Sequence, residues 1–186
     1  MTKPMLAIGL TLVASNATLG ADGVSVRFAD RVEILGRTRI RLERAYDRLC
    51  SPPLNDPAFV LSDVNFRLRR RFTEYSGDIS GRMLGALNAA GPILGRRASI
   101  IETLIEGLEA AQRPDGHFGA DQNLAQEVNQ QRDMPILWGN GRLLLALVER
   151  HRVAPDDNLS TMARRLGDYL ISVSYTHLTL PTIYSV

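Results

Sequence analysis

The chain has 186 residues, 45% of them hydrophobic, and its 22 basic and 20 acidic side chains leave a formal net charge of +2. This composition is that of a globular domain with a core of its own and excludes a disordered polymer. So slim a basic excess also argues against the concentrated positive face of a nucleic-acid binder. The single cysteine, Cys50, excludes an internal disulfide and leaves no second thiol for a metal site; at the end of a helical pattern it reads as a small core hydrophobe.

In chain order, residues 1–21 read as a secretory leader. Lys3 supplies the positive start, Met5 to Ala14 the apolar stretch, and Ser15-Asn-Ala17 or Gly20-Ala21 the small-residue cleavage point. The apolar run is shorter than the roughly 20 residues needed to span a bilayer. The expectation is therefore an exported protein, periplasmic or extracellular, with no stable membrane anchor.

Residues 22–35 read as strand or loop, with Val24, Val26 and Phe28 alternating. A helix is predicted from Gly36, with Leu42, Ala45, Tyr46 and Leu49 at helical spacing. Ser51-Pro-Pro and Asp56-Pro57 mark a connection, and a short helix is predicted over Ser62 to Phe72. Within it, Arg67, Arg69, Arg70 and Arg71 read as a solvated face, with Phe66, Leu68 and Phe72 turned elsewhere.

The most informative pattern is a repeat. Gly81-Arg-Met-Leu-Gly-Ala-Leu87 returns as Gly141-Arg-Leu-Leu-Leu-Ala-Leu147. Each copy is followed by a loop, at Gly91-Pro92 and at Pro155-Asp156-Asp157, and by a second amphipathic helix. The buried stripes of those helices read Ile101, Leu104, Ile105, Leu108 and Ala111, and Leu159, Met162, Ala163, Leu166 and Tyr169. Two helical hairpins that cannot each bury an apolar face alone predict an all-α stack, closing as a toroid or extending as a solenoid. Between them, the stretch from Pro114 to Pro135 reads as a long loop at the mouth of a central cavity.

The C-terminal stretch, residues 173–186, breaks with what precedes it: it is uncharged and rich in Thr and Tyr. Val173 to Thr182 resembles one reading frame of a sequencing adapter, so the expectation is a non-native tail and a chain cut short. A native β-strand is the alternative.

Four blocks carry a family resemblance. Gly36 to Leu49, Tyr75-Ser-Gly-Asp-Ile-Ser-Gly-Arg-Met-Leu-Gly-Ala-Leu87, Ala111-Gln-Arg-Pro-Asp-Gly-His-Phe-Gly119 and Trp138-Gly-Asn-Gly-Arg-Leu-Leu-Leu-Ala-Leu147 resemble, in order and spacing, the β-L-arabinofuranosidase-like glycoside hydrolases of family 127. The resemblance covers Gly36 to about residue 170. It implies an (α/α)6 barrel (a six-hairpin glycosidase toroid), of which residues 22–172 are the N-terminal part. It further implies retaining hydrolysis of plant or microbial glycans by a zinc-held cysteine thiolate that lies beyond this chain. The expectation is thus no catalytic residue and no cofactor in these residues, zinc in the full-length protein, and an oligo- or polysaccharide as partner. The turn read at Trp138 to Arg142 lacks the histidines that family members commonly place there, so a branch acting on another glycan fits better than an arabinofuranosidase.

Sugar sites combine aromatic faces with fixed polar groups. Tyr75 and Trp138, read as preceding the two leading helices, together with Asp78, Asn140, Arg82, Arg142 and the loop residues Asp115 and His117, are the candidate substrate-binding residues. Asp78 and Asn140 read alternatively as helix caps, and the two arginines as partners of carboxylates between hairpins. Two other functions remain open on the sequence: a different α/α-toroid enzyme, terpenoid-cyclase-like or sugar-epimerase-like, and a non-catalytic helical-repeat binding protein.

Overall fold

The computed structural model describes residues 12–16, 27–68, 75–119 and 130–177. Strands β1 (Leu12–Asn16) and β2 (Arg27–Val32) form an antiparallel ribbon that pairs Leu12 with Val32, with a bulge between Val13 and Ala14. β1 falls in the stretch read as a leader, and β2 in the stretch read as strand or loop. Among the described residues, the body that follows is made of helices: α1 (Gly36–Leu49), α2 (Pro57–Val60), α3 (Ser62–Asn65), α4 (Asp78–Leu94), α5 (Ile100–Ala111), α6 (Gln130–Val153) and α7 (Asp157–His177). No helix among the described residues is long and apolar enough to cross a membrane.

α4 and α6 form the centre and run parallel. Successive close approaches climb both helices together, from Gly77 against Gly139 and Leu143, through Gly81 against Arg142 and Leu143, to Asn88, whose Nδ2 donates to Ala146 O at 3.0 Å. A Cβ on Gly81 would lie 2.9 Å from Leu143 N, so the first repeat glycine is what lets the two backbones meet. α5 and α7 return along the outside. Both predicted stripes face inward: Ile101, Leu104 and Leu108 are buried, as are Leu159, Met162, Ala163, Leu166 and Tyr169. With Leu84, Leu87, Leu143, Leu147 and Tyr46, all of these but Tyr169 make one core, in which each large side chain contributes about 2 kcal/mol of apolar transfer.

Several boundaries differ from the sequence reading. The helix predicted over Ser62 to Phe72 stops at Asn65, because Phe66 turns left-handed (φ 55°). Phe66, Arg67 and Leu68 are therefore not on a helix, and all three are exposed; residues 69–74 lie outside the described part. Gly91-Pro92 is not a loop but the last turn of α4, which ends at left-handed Gly95. A proline so near the C-terminus forfeits one backbone hydrogen bond, and Gly91 admits Arg96 O where a Cβ would come within 2.7 Å. The long loop is also shorter than expected. α6 begins at Gln130, so Pro135 and the segment read as a turn, Trp138 to Arg142, lie inside a helix. At the far end, α7 runs to His177, into the stretch read as a non-native tail, of which 178–186 lie outside the described residues.

Cys50 closes α1 beside Tyr46. Burial is the main cause that pushes its thiol above the ordinary value, and the Asp47 carboxylate adds to it. It is a packing cysteine, partly buried against the core.

Candidate functional site

The N-terminal end of α4 is held by a side chain from outside the helix. Asp63 of α3 is fully buried, and its Oδ2 accepts from Ile79 N–H at 2.8 Å, Ser80 N–H at 3.0 Å and Ser80 Oγ–H at 3.3 Å. A carboxylate there satisfies orphan helix donors and meets the positive end of the helix dipole. Gly77, at φ 92°, turns the chain into α4, and Asp78 follows as the first helical residue, freed from capping by Asp63.

Asp78 is mostly buried and is reached by two guanidinium groups. Arg82, one turn along α4, places Nε 3.0 Å from Oδ2, and Arg142 of α6 places Nε 2.8 Å from Oδ1. The arginines at matching places in the repeat thus converge on one carboxylate, and the second ties the two hairpins together. Arg142 also lies over the indole of Trp138, 5.7 Å from the ring centroid, within cation–π range. Trp138 is 53% exposed. Beside these groups opens a pocket of about 530 Å³ lined by Tyr75, Asp78, Ile79, Arg82 and Trp138. Five of the candidate residues, Tyr75, Asp78, Arg82, Trp138 and Arg142, therefore gather at one rim.

The other three do not join them. Asn140 is 0% exposed. Its Oδ1 accepts from Phe118 N–H at 2.8 Å, and its Nδ2 faces Ser76 O at 3.1 Å, Phe118 O at 3.0 Å and Ile136 O at 3.0 Å. With every donor engaged by backbone it has nothing to offer a sugar, and as a mid-helix residue it is not a cap. It staples α6 to the turn before α4 and to the loop after α5. His117 is buried. Its Nδ1 lies 2.6 Å from Asp115 Oδ1, and its ring stacks on Tyr169 with centroids 4.8 Å apart. Asp115 and His117 belong to a docked turn, which Arg165 of α7 grips through Arg113 O at 2.9 Å and Pro114 O at 3.2 Å.

Sequence reasoning missed Asp63 and Ser76 because their partners lie 16 and 64 residues away, with no local motif to join them. Tyr75 and Trp138, both read as preceding a leading helix, do not hold matching places. In the 60-residue register Trp138 matches Asp78, and it sits inside α6, which starts two turns before α4 does.

Chemically, the pocket offers one carboxylate, one guanidinium group and two aromatic rings, with Arg142 paired to the same carboxylate from α6; such a set can hold and orient a polyhydroxylated ligand. A glycosidase ordinarily places two carboxyl groups across the bond it cleaves; the described lining has one. Among the described residues no three His, Cys, Asp or Glu come together as a metal set. Cys50 lies by Tyr46 and Arg96, at the opposite end of α4 from the pocket, with its thiol pushed up rather than down. The residues present therefore do not fit the zinc-held thiolate that the resemblance implies for the complete enzyme. No family model, no curated protein and no solved structure matches the chain.

Proposed function

We propose that the chain is the N-terminal part of an exported glycoside hydrolase built as an (α/α)6 toroid, and that the Tyr75–Trp138 rim forms part of its sugar-binding mouth. The observation that carries this reading is the pocket itself. An exposed indole stands beside a carboxylate fixed from two sides by arginines, an arrangement suited to C–H stacking and to hydroxyl recognition. Trp138 is the only tryptophan in the chain, so its fluorescence reports on this site alone. Titration of neutral oligosaccharides from plant and microbial walls is expected to change Trp138 emission saturably. Asp78→Ala, which releases both arginines, is expected to weaken that response at least tenfold. A flat response to every saccharide in the panel would overturn the sugar reading and favour a different toroid enzyme or a binding module.

A second observation supports the toroid. The face that α4 turns to α6 is built from Gly81, Gly85 and Asn88. The repeat carries these positions to Gly141, Leu145 and Val148 on α6. There nothing lies within 4 Å of a Cβ on Gly141, and Leu145 and Val148 are 59% and 50% exposed. The α6 stripe thus occupies the place where a third inner helix would dock. Left open, it is an association surface. Residues 22–172 expressed alone are expected to self-associate, and the pair Leu145→Glu with Val148→Lys to shift them toward monomer in analytical ultracentrifugation while keeping helical circular dichroism. A cooperative, monomeric wild-type segment would count against an unfinished toroid.

A further inference from the structure

The opposite rim, at the C-terminal ends of α4 and α6, holds a second pocket of about 370 Å³. Leu87, Pro92, Ile101 and Val153 form its apolar walls, and Arg96, Arg97 and Arg150 its charged lining. Two of these arginines are already committed: Arg96 Nη1 lies 2.7 Å from Asp47 Oδ1, and Arg97 pairs with Glu102. Arg150 is different. It is only 6% exposed, and its buried Nε–H has no hydrogen-bond partner among the described residues. Its place in the last turn of α6 lets the helix dipole favour the charge without satisfying that donor. A buried guanidinium donor left open is costly. The cheapest completion is an acceptor that enters from the pocket.

We infer that this rim is a binding site for a small organic carboxylate, its carboxylate seated on Arg150 and its apolar body against Leu87, Ile101 and Val153. Three guanidinium groups against the two carboxylates that pair with them leave one positive charge at the pocket, which a carboxylate monoanion balances and a phosphate dianion exceeds. The planar guanidinium also matches a carboxylate's two oxygens. The site is independent of the sugar-binding reading, since it lies at the other end of the same helices and uses none of the same residues.

The test uses the full chain, with benzoate and inorganic phosphate as probes. Calorimetry is expected to show one benzoate bound per chain. Binding should be at least tenfold weaker in Arg150→Met, and weakened but present in Arg150→Lys. In case the Arg150 variants fail to fold, the wild-type chain is read directly: benzoate should shift the ¹⁵N-resolved Nε–H resonance of Arg150. Binding of phosphate without benzoate would overturn the organic-carboxylate assignment. So would an Arg150 resonance indifferent to benzoate, or a folded Arg150→Met that binds benzoate as well as the wild type.

Discussion

Asn140→Ala is expected to destabilise the protein by about 3 kcal/mol, with little of the effect expressed as lost ligand contact. Each net hydrogen bond contributes about 0.5–1.5 kcal/mol, and a buried donor stranded without a partner costs about 1–3 kcal/mol more. The substitution strands Phe118 N–H, whose acceptor is Asn140 Oδ1, and uncouples Ser76 O and Phe118 O from α6. Against a total stability of about 5–15 kcal/mol, the loss is large. For a chain of this size it corresponds to a fall in Tm of about 6–12 °C. Asn140→Asp is expected to be at least as damaging despite its matching shape, because it turns a carboxylate toward three carbonyl oxygens. Thermal melts in the Leu145→Glu, Val148→Lys background check both variants. The opposite pattern, an unchanged Tm with the saccharide response abolished, would restore Asn140 to the binding site and contradict its role as a staple.

That residue also shows where sequence reasoning stopped. The hairpins, their inward stripes and the start of α1 were legible because burial imposes a 3.6-residue period on the sequence itself. Leu159, Met162, Ala163 and Leu166 could be assigned to one face with no knowledge of what they touch. The Asp156 turn was legible for the same local reason: its carboxylate accepts from Asn158 and Leu159 N–H, two and three residues on. Asn140 and His117 were misplaced because a polar residue has no period. Whether an amide meets a ligand or three carbonyls depends on segments brought together from positions 76, 118 and 136.

The same limit explains the mixed outcome at the rim. Tyr75, Asp78, Arg82, Trp138 and Arg142 were chosen by their places in the repeat, and the parallel packing of α4 and α6 does bring them to one end. Yet the repeat is only approximate. α6 begins at Gln130, so its matching residues sit mid-helix, where the sequence between Gly119 and Gln130 offered no start signal. Asp63, which frees Asp78 from capping, belongs to α3, a single turn with no part in the repeat. Breaks in the repeat therefore carry as much of the site as the repeat does.

Glycines in α6 give the sharpest test of this geometry, since two of them lie two residues apart and are expected to respond with opposite sign. Gly139 faces the turn before α4: a Cβ there would sit 2.3 Å from Ser76 O and 2.7 Å from Tyr75 O, both backbone atoms. No side-chain rotation relieves such a contact, so Gly139→Ala must push the 75–77 turn off α6. The expected cost is about 2–3 kcal/mol, the upper part of the range for overpacking. The displaced turn carries Tyr75, so the saccharide response at Trp138 is expected to fall with the stability. Gly141 faces open space, and alanine there removes backbone freedom from the unfolded chain and raises helix propensity, a gain of about 0.5–1 kcal/mol. Urea unfolding of the two variants, in the background that keeps the chain monomeric, reads both numbers. If Gly139→Ala proved as harmless as Gly141→Ala, the close approach of α6 to the turn carrying Tyr75 would be wrong. The pocket between Tyr75 and Trp138 would be lost with it, because that approach is what sets the two rings on one rim.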